Sequence, residues 1–296
     1  MEYFKNLFFN NDNIKKSITK KSITEKSITE KSITEKSITE KSITEKYMLE
    51  RTNKLDYFRI EPYICKTRQY EIYISGAAGL APYLMGICKV LQDEFQNELD
   101  KSIIIGTSIG SFCAFILATK ISVNDAYLNG ATNFIKCIGK SFMDKSFYLT
   151  NNYHNCMNNY ITSIKDIILL DSLENRLFIN TSCYQTGKNY IINQFNDGSD
   201  IANAITSSST IPVLHTSLTC EYDGKLLRDG WFSDTPYICS NLHRVDIELN
   251  MFSREWSLFD YLPDDNIDNN NMLYQLGIQD AKDNLEKLKE MFCVDN

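Results

Sequence analysis

The segment Gly106-Thr-Ser-Ile-Gly110 lies between two strongly patterned stretches. Before it, Ser102-Ile-Ile-Ile105 has the length and β-branching of a buried strand. After it, Ser111 to Lys120 carries Phe112, Ala114, Phe115, Leu117 and Ala118 and reads as a helix. A Gly-x-Ser-x-Gly at a strand-to-helix junction has the form of a nucleophile elbow. The turn is so tight that a side chain on either flank would clash, which is why Gly106 and Gly110 stand there. Ser108 then projects beyond the sheet edge, and the helix N-terminus behind it favours developing negative charge. The expected chemistry is that of a serine hydrolase or acyltransferase. The plainer reading is a turn whose serine only caps the helix.

The first 50 or so of the 296 residues are low in complexity. From Ser17 to Lys46 the chain repeats a pentapeptide, Ser-Ile-Thr-Lys-Lys once and then Ser-Ile-Thr-Glu-Lys five times. A five-residue period matches neither the helix nor the strand, so the isoleucines line no single face. One apolar residue in five cannot offset the ordering entropy. Residues 1–56 are therefore expected to be a disordered tail and residues 57–296 one folded domain, large enough for a substantial core.

The net charge of −7 is uneven: residues 14–46 carry +4 and the remainder −11. An acidic body argues against nucleic acid as a partner. Nine cysteines without a Cys-x-x-Cys pair, and only three histidines, make a zinc site unexpected. An odd, unpatterned cysteine set suits an intracellular, reducing compartment. No apolar run reaches the ~18–20 residues of a membrane span, and the N-terminus lacks a signal-peptide pattern.

Along the folded part, Tyr70 to Ile74 alternates as a strand and Pro82 to Phe95 reads as a helix. Residues 121–175 look mainly helical, with an Asn-rich stretch, Asn151 to Asn159, taken as an exposed loop holding His154. Arg176–Ser182 and Lys188–Asn193 read as strands joined at Gly187, and Ile201–Ser208 as a helix. Lys225–Arg228 and Leu242–Asn250 read as strands, 264–271 as an Asp/Asn loop, and Met272–Phe292 as one amphipathic helix. Alternating strands and helices imply an α/β fold, a three-layer sandwich with a mainly parallel sheet. Active groups in such sheets gather at the carboxyl ends of the strands, where both the Gly76 turn and the Ser108 turn fall.

A serine hydroxyl needs a base. The histidines available are His154, His215 and His243, and a triad in the order Ser, Asp, His would be Ser108, Asp229 and His243. The alternative is a carboxylate acting directly, with Asp229-Gly230 as the best placed.

Five anchors in order, Ser75-Gly-Ala-Ala-Gly-Leu-Ala81, a helix with Gly86, Gly106-Thr-Ser-Ile-Gly110, Ala204-Ile-Thr-Ser-Ser-Ser-Thr-Ile-Pro212 and Arg228-Asp-Gly-Trp231, resemble the patatin-like phospholipase family. Leu276-Gly-Ile-Gln-Asp-Ala281 also resembles a pattern near the end of such domains, so the resemblance covers residues 68–290. It implies a lipid acyl hydrolase working through a Ser-Asp dyad and an acyl-enzyme, with no histidine, metal or cofactor. Ser108 would be the nucleophile and Asp229 the base. The N–H groups of Gly76, Ala77 and Ala78, with that of Ile109, would form the oxyanion hole. The substrate would be a phospholipid or acylglycerol, which brings peripheral membrane contact with it. Apolar residues between 134 and 149, including Phe134, Ile135, Phe142, Met143, Phe147 and Tyr148, would form the core face of a helix or help line a hydrophobic mouth.

The chain departs from the family where glycines usually stand, at Ala77, Ala78 and Ala81, and by Trp231 after Gly230. Alanine keeps its N–H but resists positive φ. The alternative is thus a catalytically weak or inactive patatin-fold protein that binds lipid without turnover.

Overall fold

The computed structural model describes residues 67–132, 150–211, 217–262, 264 and 266–293. The repeat, the expected domain boundary at residue 56, the apolar residues 134–149 and His215 lie outside them. Among the described residues seven strands form one sheet: β1 (Tyr70–Ile74), β2 (Ser102–Thr107), β3 (Leu177–Cys183), β4 (Asn189–Ile192), β5 (Cys220–Tyr222), β6 (Lys225–Asp229) and β7 (His243–Ile247). The principal helices are α1 (Ala81–Glu94), α2 (Gln96–Asp100), α3 (Ile109–Thr119), α4 (Thr150–Ser163), α5 (Gly198–Ser208), α6 (Ile267–Asp283) and α7 (Leu285–Phe292).

The sheet order is β5-β6-β3-β2-β1-β7, with β4 also on β3. β7, β1, β2 and β3 pair in parallel, while β4 and β6 run against β3 and β5 against β6. Five of the seven strands therefore point one way, the mixed α/β, mainly parallel arrangement expected from the sequence.

One detail of pairing matters most. Ile179 and Asn180 pair with both β2 and β4, and Thr181 and Ser182 with both β4 and β6. A strand has two edges, so β4 takes one and β2 and β6 share the other. They meet head to head: Thr107 lies opposite Asn180, and Asp229 opposite the next residue, Thr181.

Side chains alternate across a strand, and the two faces of this sheet are covered differently. One face carries Ile72, Ile74, Ile104, Leu177 and Ile179 and packs against the helices in the main core. The other carries Tyr73, Ile103, Ile105 and Phe178, joined among the described residues by Ile191 and by Ile238, Cys239 and Leu242 of the loop before β7.

Three local readings change. Most of the Asp/Asn run expected as a loop is helix: α6 begins at Ile267, and Asn266 caps it, its side chain accepting from the N–H groups of Asp268 and Asn269. Such residues suit a helix start as well as a turn. The expected 272–292 helix breaks at Asn284 into α6 and α7. The Asn-rich stretch with His154 is helix α4, because Met157, Tyr160 and Ile161 recur at helical spacing and are buried.

Cys88 and Cys113 are small core residues, as expected, and Cys183, Cys220 and Cys293 are also free thiols. Cys156 and Cys239 are disulfide-bonded, so the cysteine argument for a reducing compartment does not extend to them. Among the described residues no helix is long and apolar enough to cross a membrane.

Candidate active site

β2 ends on Thr107 and α3 begins on Ile109, leaving Ser108 between them at φ 57° and ψ −134°. An L-residue held there is strained by about 1–3 kcal/mol, and the surroundings fix it from both sides. Its N–H donates to Ser208 Oγ at 2.8 Å, and the Ser208 hydroxyl donates to the Asn180 carbonyl at 2.6 Å. Its carbonyl accepts from the Ser111 N–H at 2.9 Å. The flanks leave no room for side chains: a Cβ at Gly106 would lie 2.3 Å from Ser111 Cα, and one at Gly110 2.3 Å from the Ser75 carbonyl.

Asp229 closes β6 and is 1% exposed, against 5% for Ser108. Its N–H donates to the Thr210 carbonyl at 2.8 Å, and its Oδ1 accepts from the Trp231 N–H at 2.8 Å. Oδ2 is buried without a hydrogen-bond partner among the described residues. Burial pushes the carboxyl pKa up to about 7, against the opposing pull of the Ser108 hydroxyl and the Trp231 N–H. Serine and aspartate are thus close enough to interact electrostatically, but no well-formed hydrogen bond joins them. Catalytic hydrogen bonds are often loose before substrate arrives.

Asn180, fully buried on β3, ties the two strand ends together. Its Nδ2 donates to Thr107 Oγ1 at 3.0 Å and to the Gly230 carbonyl at 3.3 Å. Its Oδ1 accepts from Asn189, which also holds the Asp234 carbonyl. Gly230 packs so tightly on Asn180 that a Cβ there would come within 2.4 Å of the Asn180 carbonyl oxygen. Sequence reading passed over Asn180 and Ser208. The available signals were a polar residue interrupting the apolar run Leu177-Phe-Ile, and a serine inside the 204–212 anchor.

Gly76 lies against the serine: a Cβ there would sit 3.0 Å from Ser108 Cβ and 3.7 Å from its Oγ. The N–H groups of Gly76, Ala77 and Ala78 have no acceptor among the described residues, nor has that of Ile109 at the start of α3. Ala77, at φ −132°, and Ala81, at φ −49°, sit comfortably as alanines, whereas Ala78 is held at φ 45°. The cost of replacing glycines in this loop is therefore concentrated on one residue. Trp231 follows in a short 3-10 turn (Gly230–Phe232) with its ring edge-on to Phe232 at 5.3 Å.

The structure removes His243 from the site. It pairs with Tyr70, which pairs with Ser102, so it stands at the opposite end of the strands from Ser108. Six residues at ~3.3 Å each put the two about 20 Å apart. Its Nε2 is bound to the Met291 carbonyl at 2.7 Å. A surface cavity of about 480 Å³ opens at the far end of α3, lined by Lys120, Ile121, Asp125, Tyr160 and Ile164 among others. It lies a helix length from Ser108, roughly 16 Å, and is a separate feature.

No family model matches the chain, and no curated protein matches it. Among solved structures the chain is similar to VipD from Legionella pneumophila, at 12% identity and a TM-score of 0.37 over 60% of this chain and 50% of that one. It is similar also to the heterodimeric ExoU-SpcU complex from the type III secretion system of Pseudomonas aeruginosa, at 13% identity and a TM-score of 0.37 over 75% and 52%. The chain spans about half the length of these matched chains.

Proposed function

We propose that this chain is a patatin-like lipid acyl hydrolase that cleaves carboxylic esters of phospholipids or acylglycerols. The observation that carries the reading is the head-to-head meeting of β2 and β6, which brings the strained Ser108 up to a buried carboxyl whose pKa is raised to about 7. A base poised near the working pH is what general-base catalysis needs. Asp229 takes the hydroxyl proton as Ser108 Oγ attacks the ester carbonyl. The N–H groups of Gly76, Ala77, Ala78 and Ile109 receive the developing oxyanion. The alcohol leaves with the proton, water attacks the acyl-enzyme, and Asp229 again serves as the base. The chemistry needs neither metal nor cofactor. Its substrates sit in membranes, so peripheral lipid contact belongs to the reading.

One observation favours the second reading, a lipid-binding protein with weak or no turnover: the positive φ of Ala78 in the proposed oxyanion loop. Reaction of the full chain with a fluorescent fluorophosphonate, beside Ser108→Ala and Asp229→Asn, separates the two. Labelling of the wild type that both variants lose supports the dyad. A well-folded wild type that stays unlabelled leaves only the binding reading.

A further inference from the structure

The strand that ends on Asp229 carries a cation with no acidic partner among the described residues. Arg228 stands in register with Ser182 of β3, while Asp229 stands in register with Thr181. Arg228 and Ser182 therefore share the sheet face opposite Asp229. Among the described residues the buried Arg228 Nε has no hydrogen-bond partner, and the Ser182 hydroxyl, 0% exposed, has none either. Both are donors left unfilled side by side, a costly arrangement for a folded chain.

Other arginines show what is missing. Arg244 holds Glu71 and Asp246, Arg254 holds Asp280, and Arg176 reaches Asp100. Arg228 has aromatic rings instead, Phe232 at 4.5 Å and Tyr184 at 5.6 Å. A ring face attracts the charge but fills none of the five N–H donors. Burial pulls the Arg228 pKa down, against a smaller opposing pull from Tyr184 and Cys183. Tyr184 and Leu226 beside it are exposed, so the guanidinium is reachable from solvent.

We propose that Arg228 and Ser182 form an anion site for a phosphate group, walled by Phe232 and Tyr184 and adjacent to the candidate base. A planar guanidinium fork with a neighbouring hydroxyl matches a tetrahedral oxyanion. Phe232 contacts Trp231, whose N–H holds Asp229, so an occupied site braces the segment that positions the carboxyl. The phosphate comes from a lipid headgroup or from free phosphate. Only the first source rests on the acyl-ester reading.

The test is calorimetric titration of the full-length protein with inorganic phosphate and with dihexanoyl phosphatidylglycerol below its micelle concentration. Arg228→Met, Arg228→Lys and Ser182→Ala are titrated alongside. Saturable binding that weakens about tenfold to a hundredfold in Arg228→Met, and less in the other two, supports the site. A wild type that binds neither probe, or an Arg228→Met that binds both equally well, overturns it. Binding of phosphate alone keeps the site and assigns it to the free ion. For the lipid source, kcat/KM on the phospholipid relative to dihexanoylglycerol falls about tenfold or more in Arg228→Met. If fluorophosphonate fails to label the wild type while phosphate still binds, the hydrolase reading falls and the anion site stands. Should Arg228→Met not fold, the Nε–H resonance of Arg228 in the wild type replaces it. A phosphate-dependent shift supports the site, and an unmoved resonance overturns it.

Discussion

At Asp229, burial and hydrogen bonding act in opposite directions, and burial wins, leaving the carboxyl near pKa 7. Two consequences follow with opposite value to the protein. On the hydrolase reading proposed above, the ionised carboxylate accumulates as the pH rises through about 7, so a pH–rate profile is expected to rise across that range to an alkaline plateau. Stability moves the other way. The folded carboxyl keeps its proton up to about pH 7, whereas the unfolded one releases it near about 3.9. Stability present below about pH 4 is therefore lost as the pH climbs through 7. At about 1.4 kcal/mol per unit, the loss is on the order of 4 kcal/mol. Asp229→Asn, which does not titrate there, is expected to melt higher than the wild type at pH 8 and to lose activity. Equal melting temperatures would contradict the burial argument. Ala78, like Ser108, is held at positive φ. Ala78→Gly relieves a positive φ worth about 1–2 kcal/mol, less roughly half of that in added chain entropy. Thermal melts are expected to rise slightly and turnover to rise with them.

β3 is the element on which the site depends. It receives β2 and β6 on one edge, and its Asn180 binds the last residue of the first and the residue following the second. Removing that amide leaves the Gly230 carbonyl without this donor and frees the two strand ends to shift. Asn180→Ala is expected to cost about 1–3 kcal/mol and, on the hydrolase reading, to lower kcat much more than it raises KM, since the amide lies behind the proposed reacting groups. A change confined to stability, with kcat intact, would reduce Asn180 to a packing role. The same strand explains why a polar residue is tolerated in a buried position: every donor on that amide has a partner.

At the scale of the molecule, a close crossing of two helices locks part of the helical layer. α1 and α6 approach so near that a Cβ at Gly277 would lie 2.1 Å from the Tyr83 carbonyl, and one at Gly86 2.2 Å from that of Tyr274. Backbone cannot yield as a side-chain tip can. Gly277→Leu should therefore cost about 3 kcal/mol or more, read from chemical denaturation. The pentapeptide segment follows different physics. The expectation from composition is that a chain lacking residues 1–50 keeps its circular dichroism spectrum and any esterase activity. Loss of the folded signal would show that the segment contributes to the domain.

Strands, helices and the sharp turn at Ser108 were legible from the residues because each depends on neighbours within a few positions: β-branched runs, helical spacing, glycines where backbone must pass close. The Asp/Asn run before α6 misled for the same reason, since those residues serve a turn and a helix start equally well, and only packing of the following turns selects the helix. Choosing between Asp229 and His243 lay beyond local pattern, because both follow Ser108 by more than a hundred residues and either order is chemically sensible. Strand pairing separates the two residues. It placed β6 against the free length of β3 beyond the tip of β2, and set His243 at the opposite end of the sheet. The raised pKa, the tie through Asn180 and the surroundings of Arg228 likewise exist only once long-range pairing has removed water from one side of a strand and fixed which side that is.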